Sequence, residues 1–198
     1  MPAAKLYDEV TRQIQEGSSL RAAGQDPLYY AIFPPEQTLA MRRELKNWLI
    51  RLRKEGWAPR ILSLSEKINA FTAKHDLRSF WVEAEQDQGA FSPETIRSVN
   101  ETIGTALSES DFLENLLRDE ASATAKETKG ILVVTDCESL HPYLRIGQLE
   151  GALIGHIQCP VVVLYPGQRS GGYSLKFLGF YQSDGNYRSI HISQEAKA

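Results

Sequence analysis

The stretch from Ile131 to Tyr165 constrains the fold more than any other part of the chain. It holds two unbroken apolar runs, Ile131-Leu132-Val133-Val134-Thr135 and Val161-Val162-Val163-Leu164-Tyr165, with room for a helix between them. A strand with one wet face alternates polar and apolar residues. A strand that is apolar at every position has both faces covered, as in a parallel sheet with helices on each side. Parallel neighbours need a long crossover connection, usually a helix.

The rest of the chain fits this plan. Leu6, Val10 and Ile14 recur along one stripe and predict a helix over residues 3–15, ended by Gly17-Ser18-Ser19. A short aromatic strand follows over 28–33. The clearest helix spans about residues 36–54: Met41, Leu45, Trp48, Leu49 and Leu52 line one side, and Gly56 stands where a left-handed cap belongs. A second strand is expected over 59–64, with Ser65 capping a helix that carries Ile68 and Phe71. Further helices are predicted over 77–86, from Ser92-Pro93-Glu94 onward, and over 111–128. After the first apolar run, Pro142 is expected to open a helix over 142–157. The last strands, 174–180 and 187–192, are expected to pair through the turn Gln182-Ser183-Asp184-Gly185-Asn186. The predicted class is α/β: a mostly parallel sheet flanked by helices, with a C-terminal antiparallel hairpin.

No repeat or linker divides the 198 residues, so one domain over 1–198 is expected. Apolar residues at 42% and charged residues at 24% match an ordinary globular protein. A net charge of −3 excludes a strongly basic chain while allowing a local basic patch. The two cysteines, Cys137 and Cys159, lie outside any CxxC arrangement and read as buried thiols in a reducing compartment. The N-terminus has no apolar signal core, and the longest apolar run falls far short of the ~20 residues that span a bilayer. A cytoplasmic protein that does not contact membrane is the expectation.

An α/β sheet invites a nucleotide site at the turn after its first strand. A phosphate-cradling loop needs glycine N–H groups, a lysine and a hydroxyl. Here the turn is Phe33-Pro34-Pro35-Glu36-Gln37-Thr38, in which two prolines donate nothing and Glu36 repels phosphate. The core is therefore read as P-loop-like but degenerate, without a phosphate loop. Asp136 and Glu138 follow a central strand, where α/β sheets hold ligands, and leave a small nucleotide-handling site as one reading. Cys137 with His141, and His156 with Cys159, have zinc-like spacings, but they sit at opposite ends of the predicted 142–157 helix. No metal or cofactor is expected. Cys137 near a helix start with His141 in reach is a faint hint of an activated thiol. No catalytic signature emerges, and the chain is expected not to be an enzyme.

Charge is unevenly spread. The 36–54 helix carries Arg42, Arg43, Lys46, Arg51, Arg53 and Lys54, and the first three cluster on the helical wheel as candidates for nucleic-acid contact. From Glu83 to Glu120 the chain is acidic, with only Arg97 and Arg118 as positive residues. Opposed patches suit protein docking as well as DNA.

The first apolar run, then His141-Pro142-Tyr143-Leu144-Arg145, then Val161 to Gly167, Ser174-Leu175-Lys176-Phe177-Leu178-Gly179 and Asp184-Gly185-Asn186-Tyr187-Arg188, together resemble the BrxB family. The resemblance covers about residues 131–192. It implies an accessory subunit of a bacteriophage-exclusion (BREX) system, made beside a methyltransferase, a large ATPase and the alkaline-phosphatase-like protein PglZ. A PglZ-like protein is the expected partner, with other BREX components and possible DNA contact. Pro142, Tyr143, Arg145, Tyr187 and Arg188 are the candidate partner-binding residues. Arg145, set against the dipole of its predicted helix, is expected to pair with Asp136 or Glu138.

Overall fold

A computed structural model describes residues 3–20, 26–86, 92–170, 174–182 and 189–193. In chain order the elements are α1 (Ala3–Leu20), β1 (Leu28–Phe33), α2 (Thr38–Lys54), β2 (Ala58–Ser63), α3 (Leu64–Lys74), α4 (Arg78–Gln86), α5 (Pro93–Glu109), α6 (Phe112–Ala125), β3 (Gly130–Thr135), α7 (Gly147–Leu153), β4 (Val161–Arg169), β5 (Leu175–Phe177) and β6 (Ile190–Ser193).

The strands form one sheet in the order β2-β3-β4-β1-β6, with every pair on that path parallel. Both apolar runs are buried at every residue, as two-sided coverage requires. Alternate side chains go to opposite layers. From β1, Tyr29, Ala31 and Phe33 pack with α1 and α2, in a cluster holding Tyr7, Met41 and Trp48. Leu28, Tyr30 and Ile32 face the other layer, built on α3 to α7. The first layer is fixed by Trp48, which stacks on Tyr7 with ring centroids 4.6 Å apart and donates from Nε1 to Thr11 Oγ1 at 2.9 Å. Gly17 does not stop α1, which continues to Leu20; a Cβ there would sit 2.3 Å from the Tyr29 hydroxyl, so glycine is what fits.

Local signals set the helix starts. Ser92 Oγ accepts from the Thr95 backbone N–H, with Pro93 in the first turn. In α3 the cap is Ser63, not Ser65: its Oγ accepts from the Glu66 N–H. On the sheet's β2 edge, Glu120 of α6 accepts from Arg60 Nε at 2.5 Å and from Lys67 Nζ at 3.2 Å. Burial alone raises this carboxyl, but the two cationic donors bring it below its usual value.

Two larger expectations also fail. Pro142 does not open a helix. A 3-10 turn over Cys137–Leu140 ends in extended backbone at His141, the His141–Pro142 peptide is cis, and α7 begins only at Gly147. Gly151, inside α7, costs about 1 kcal/mol relative to alanine, and Gly155 takes left-handed backbone, φ 77°, just past the helix end. The expected hairpin between the last two strands also gives way to other pairings. β5 runs antiparallel to the end of β4, with Gly167 opposite Phe177, while β6 crosses to the far edge and lies parallel to β1. An antiparallel hairpin is present, one connection earlier than predicted. The turn 182–186 lies mostly outside the described residues.

Candidate functional site

The connections out of β1 and β3 leave on opposite faces of the sheet: α2 belongs to one layer, Cys137, Leu140 and α7 to the other. Such a switch in winding opens a crevice at the carboxyl ends of the strands, the usual ligand position in α/β sheets. Here the crevice is about 370 Å³ and is lined by Phe33, Thr38, Arg42, Ser63, Asp136 and Glu138, among others.

Its chemistry is that of an internal lock. Arg42, one turn into α2, donates from one guanidinium nitrogen to Asp136 Oδ1 at 2.6 Å and to Glu138 Oε1 at 2.8 Å. The other Asp136 oxygen accepts from Ser63 Oγ at 2.5 Å and Thr135 Oγ1 at 2.9 Å. Asp136 has left-handed backbone, φ 59° and ψ 37°, which short polar side chains tolerate best among non-glycine residues. The turn 33–38 donates no phosphate-cradling amides: Pro35–Gln37 form a 3-10 turn whose Gln37 N–H returns to the Pro34 carbonyl. Arg42, a nucleic-acid candidate, ties α2 to the end of β3 while its side chain stays half exposed. Arg43 and Lys46 are exposed.

The cysteine and histidine pairs do not converge. Cys137 is fully buried, and burial followed by the charges of Glu138 and Asp136 pushes its thiol well above the usual range, so it stays protonated. His141 turns away towards Tyr181. His156 meets Arg118 at 3.1 Å, and Cys159 Sγ lies 3.6 Å from the Ala121 carbonyl. Among the described residues no three His, Cys, Asp or Glu side chains are placed to hold a metal.

A second surface forms where β5 ends. Leu178 and Gly179 are successive left-handed residues, φ 52° and 76°, and they fold Phe180 and Tyr181 back over the 141–145 segment. The Tyr181 hydroxyl hydrogen-bonds His141 Nδ1. The His141 ring lies edge-on to Phe180 and Tyr181, at 5.6 and 5.3 Å between centroids. The Arg145 guanidinium sits over the Tyr181 ring at 5.8 Å. Arg145 therefore takes an aromatic partner, and Asp136 and Glu138 take Arg42. The Tyr181 hydroxyl is raised above its ordinary value, by burial first, against a lowering from Arg145. Phe180 is 64% exposed, a large apolar side chain left in water.

Of the five partner-binding candidates, Arg145 joins this patch, and Pro142 and Tyr143 line the neighbouring groove along α5. Tyr187 and Arg188 lie outside the described residues. Sequence reasoning missed His141, Phe180 and Tyr181 as members. The signal available was Gly179 directly before two aromatics, at a point where the apolar run had ended.

The class defined so far is a mostly parallel α/β protein whose crevice at the strand ends is bridged by its own arginine, with an aromatic surface elsewhere. The chain belongs to the BrxB family: the family model described as BREX protein BrxB matches residues 61–192, about two thirds of its length. Membership makes it a component of a BREX phage-defence system. No match was found among curated proteins or among solved structures. No helix among the described residues is long and apolar enough to cross a membrane.

Proposed function

We propose that this chain is a non-catalytic assembly subunit of its BREX system, and that the surface around Tyr181 docks a PglZ-like protein of the alkaline-phosphatase superfamily. The observation that carries this reading is Phe180, 64% exposed beside Tyr181, His141 and Arg145. Aromatic residues and arginine are enriched at the centres of protein interfaces and carry much of their binding energy. The pre-stacked rings lose little freedom on binding, which favours docking by this face. The non-catalytic half is supported by Arg42 occupying the ligand crevice and by the protonated, buried thiol of Cys137.

Co-expression with the PglZ-like protein encoded beside it, followed by size-exclusion chromatography with light scattering, tests the reading. A complex of defined stoichiometry is expected, and two separate peaks at micromolar concentration contradict it.

A DNA-contacting role has its own support. Arg43 and Lys46 are exposed on α2, and Arg51, Arg53 and Lys54 crowd its last turn. That reading requires duplex binding that weakens steeply with salt and is lost on Arg43→Glu/Lys46→Glu substitution. Unchanged retention in the double variant eliminates it.

A further inference from the structure

A groove runs beside α5, about 860 Å³, with Pro142 and Tyr143 forming one wall. At Ser108 it meets a second hollow of about 270 Å³ that reaches Leu144 and the start of α6. From Pro93 to Ser108 the groove follows about four turns of helix, roughly 22 Å. Ile96, 49% exposed, contributes apolar surface to it. The wall approaches α5 closely: a side chain at Gly104 would meet the Tyr143 carbonyl at 2.9 Å. Among charged residues the two hollows hold Arg97 against Glu101, Glu109 and Asp111, while Glu114 is already paired with Arg118 at 2.8 Å. The rim is therefore net acidic.

From this arrangement we infer that the α5 groove receives a basic amphipathic helix from the docking partner. The inference rests on the docking reading above and names the partner element. The strands on the sheet's main path pair elsewhere, at β2 to β6, and the groove offers no strand edge of that path for an extended peptide. A helix laid along α5 places an apolar stripe against Ile96, Pro142 and Tyr143, and its lysines or arginines against the carboxylates. The groove shares the 141–145 segment with the aromatic patch, so one partner can cover both.

The test uses the full chain and two designed amphipathic helical peptides with the same leucine stripe, one flanked by lysine and one by glutamate. Binding is read by fluorescence anisotropy at 50 mM and 150 mM salt, conditions set by screening. The lysine peptide is expected to bind at least about tenfold more tightly than the glutamate peptide, and to slow hydrogen exchange over residues 93–109. Glu101→Lys/Glu109→Lys is expected to remove that preference. Glu16→Lys/Glu55→Lys, an equal charge change at exposed sites on other parts of the molecule, is expected to keep it. Equal binding of the two peptides, equal loss in both double variants, or protection elsewhere overturns the inference. A partner complex that forms while the lysine peptide fails sinks the helix inference alone. Peptide binding without any partner complex sinks the docking reading alone.

Discussion

Arg42 joins α2 to the end of β3 through Asp136 and Glu138. Its place on a basic face was legible, but its partners lie 94 and 96 residues away in the chain. No local pattern encodes that distance. Arg42 is half exposed and its carboxylate partners less so, so Arg42→Ala is expected to cost about 1 kcal/mol in urea unfolding, at the upper end for surface ion pairs. Arg43→Ala, one residue on and without those contacts, is expected to stay within about 0.5 kcal/mol. Equal effects contradict the lock. His191 gives a second test at this scale. Burial, with a smaller contribution from Arg169, lowers its imidazole to about 4. It stands in a crowded place, beside Tyr30 at 5.9 Å between rings and 3.2 Å from Ser189 Oγ, which also donates to Glu150. The unfolded chain takes up this proton near pH 6.5, while the folded protein resists it until about pH 4. Stability is therefore expected to fall as pH drops through that window. Thermal melts at pH 7 and pH 5 check this, and His191→Gln is expected to flatten the difference. A melt independent of pH in both proteins contradicts the burial.

At the scale of elements, the strands were the most legible part, because apolar runs of five or six residues have few other uses. β1 matches its predicted range, and β3 and β4 contain theirs. The deeper prediction is that these strands hold the two layers together. Leu132 is fully buried at the centre of the sheet, so Leu132→Ala is expected to cost about 2–5 kcal/mol, read by denaturant unfolding. A loss under about 1 kcal/mol contradicts the assigned packing. The failures were at elements whose signals compete. Pro142 is a good first-turn residue, but the 3-10 turn before it delays the helix to Gly147, and left-handed Gly155 follows its end at Leu153. The last two strands looked like a hairpin because their neighbours in sequence favoured a turn. The open edge at β1 gives β6 a parallel partner instead, with Tyr29 opposite Ile190. Pairing is decided by which edge is free, and that is a property of the whole sheet.

For the whole molecule, layer order decides what stands at the carboxyl ends of the strands, where α/β sheets usually hold ligands. The turn after β1 lacks the glycines and lysine of a phosphate loop, which was readable from Pro34 and Pro35. The replacement was not readable: Arg42, Ser63 and Asp136 come together only through the strand order β2-β3-β4-β1. The same holds for the aromatic surface around Tyr181. The 141–145 segment was named from the sequence, whereas Phe180 and Tyr181 reach it only through the bend at Leu178-Gly179. The measurement that bears most directly on the account is the affinity of the PglZ-like protein for the wild-type chain and for Phe180→Ala/Arg145→Glu, by isothermal calorimetry. Both side chains are exposed, so folding is expected to survive, with melting curves as the check. The account predicts a loss of at least 2 kcal/mol in binding, about thirtyfold in Kd, as for central interface residues. An unchanged Kd in a folded double variant contradicts it.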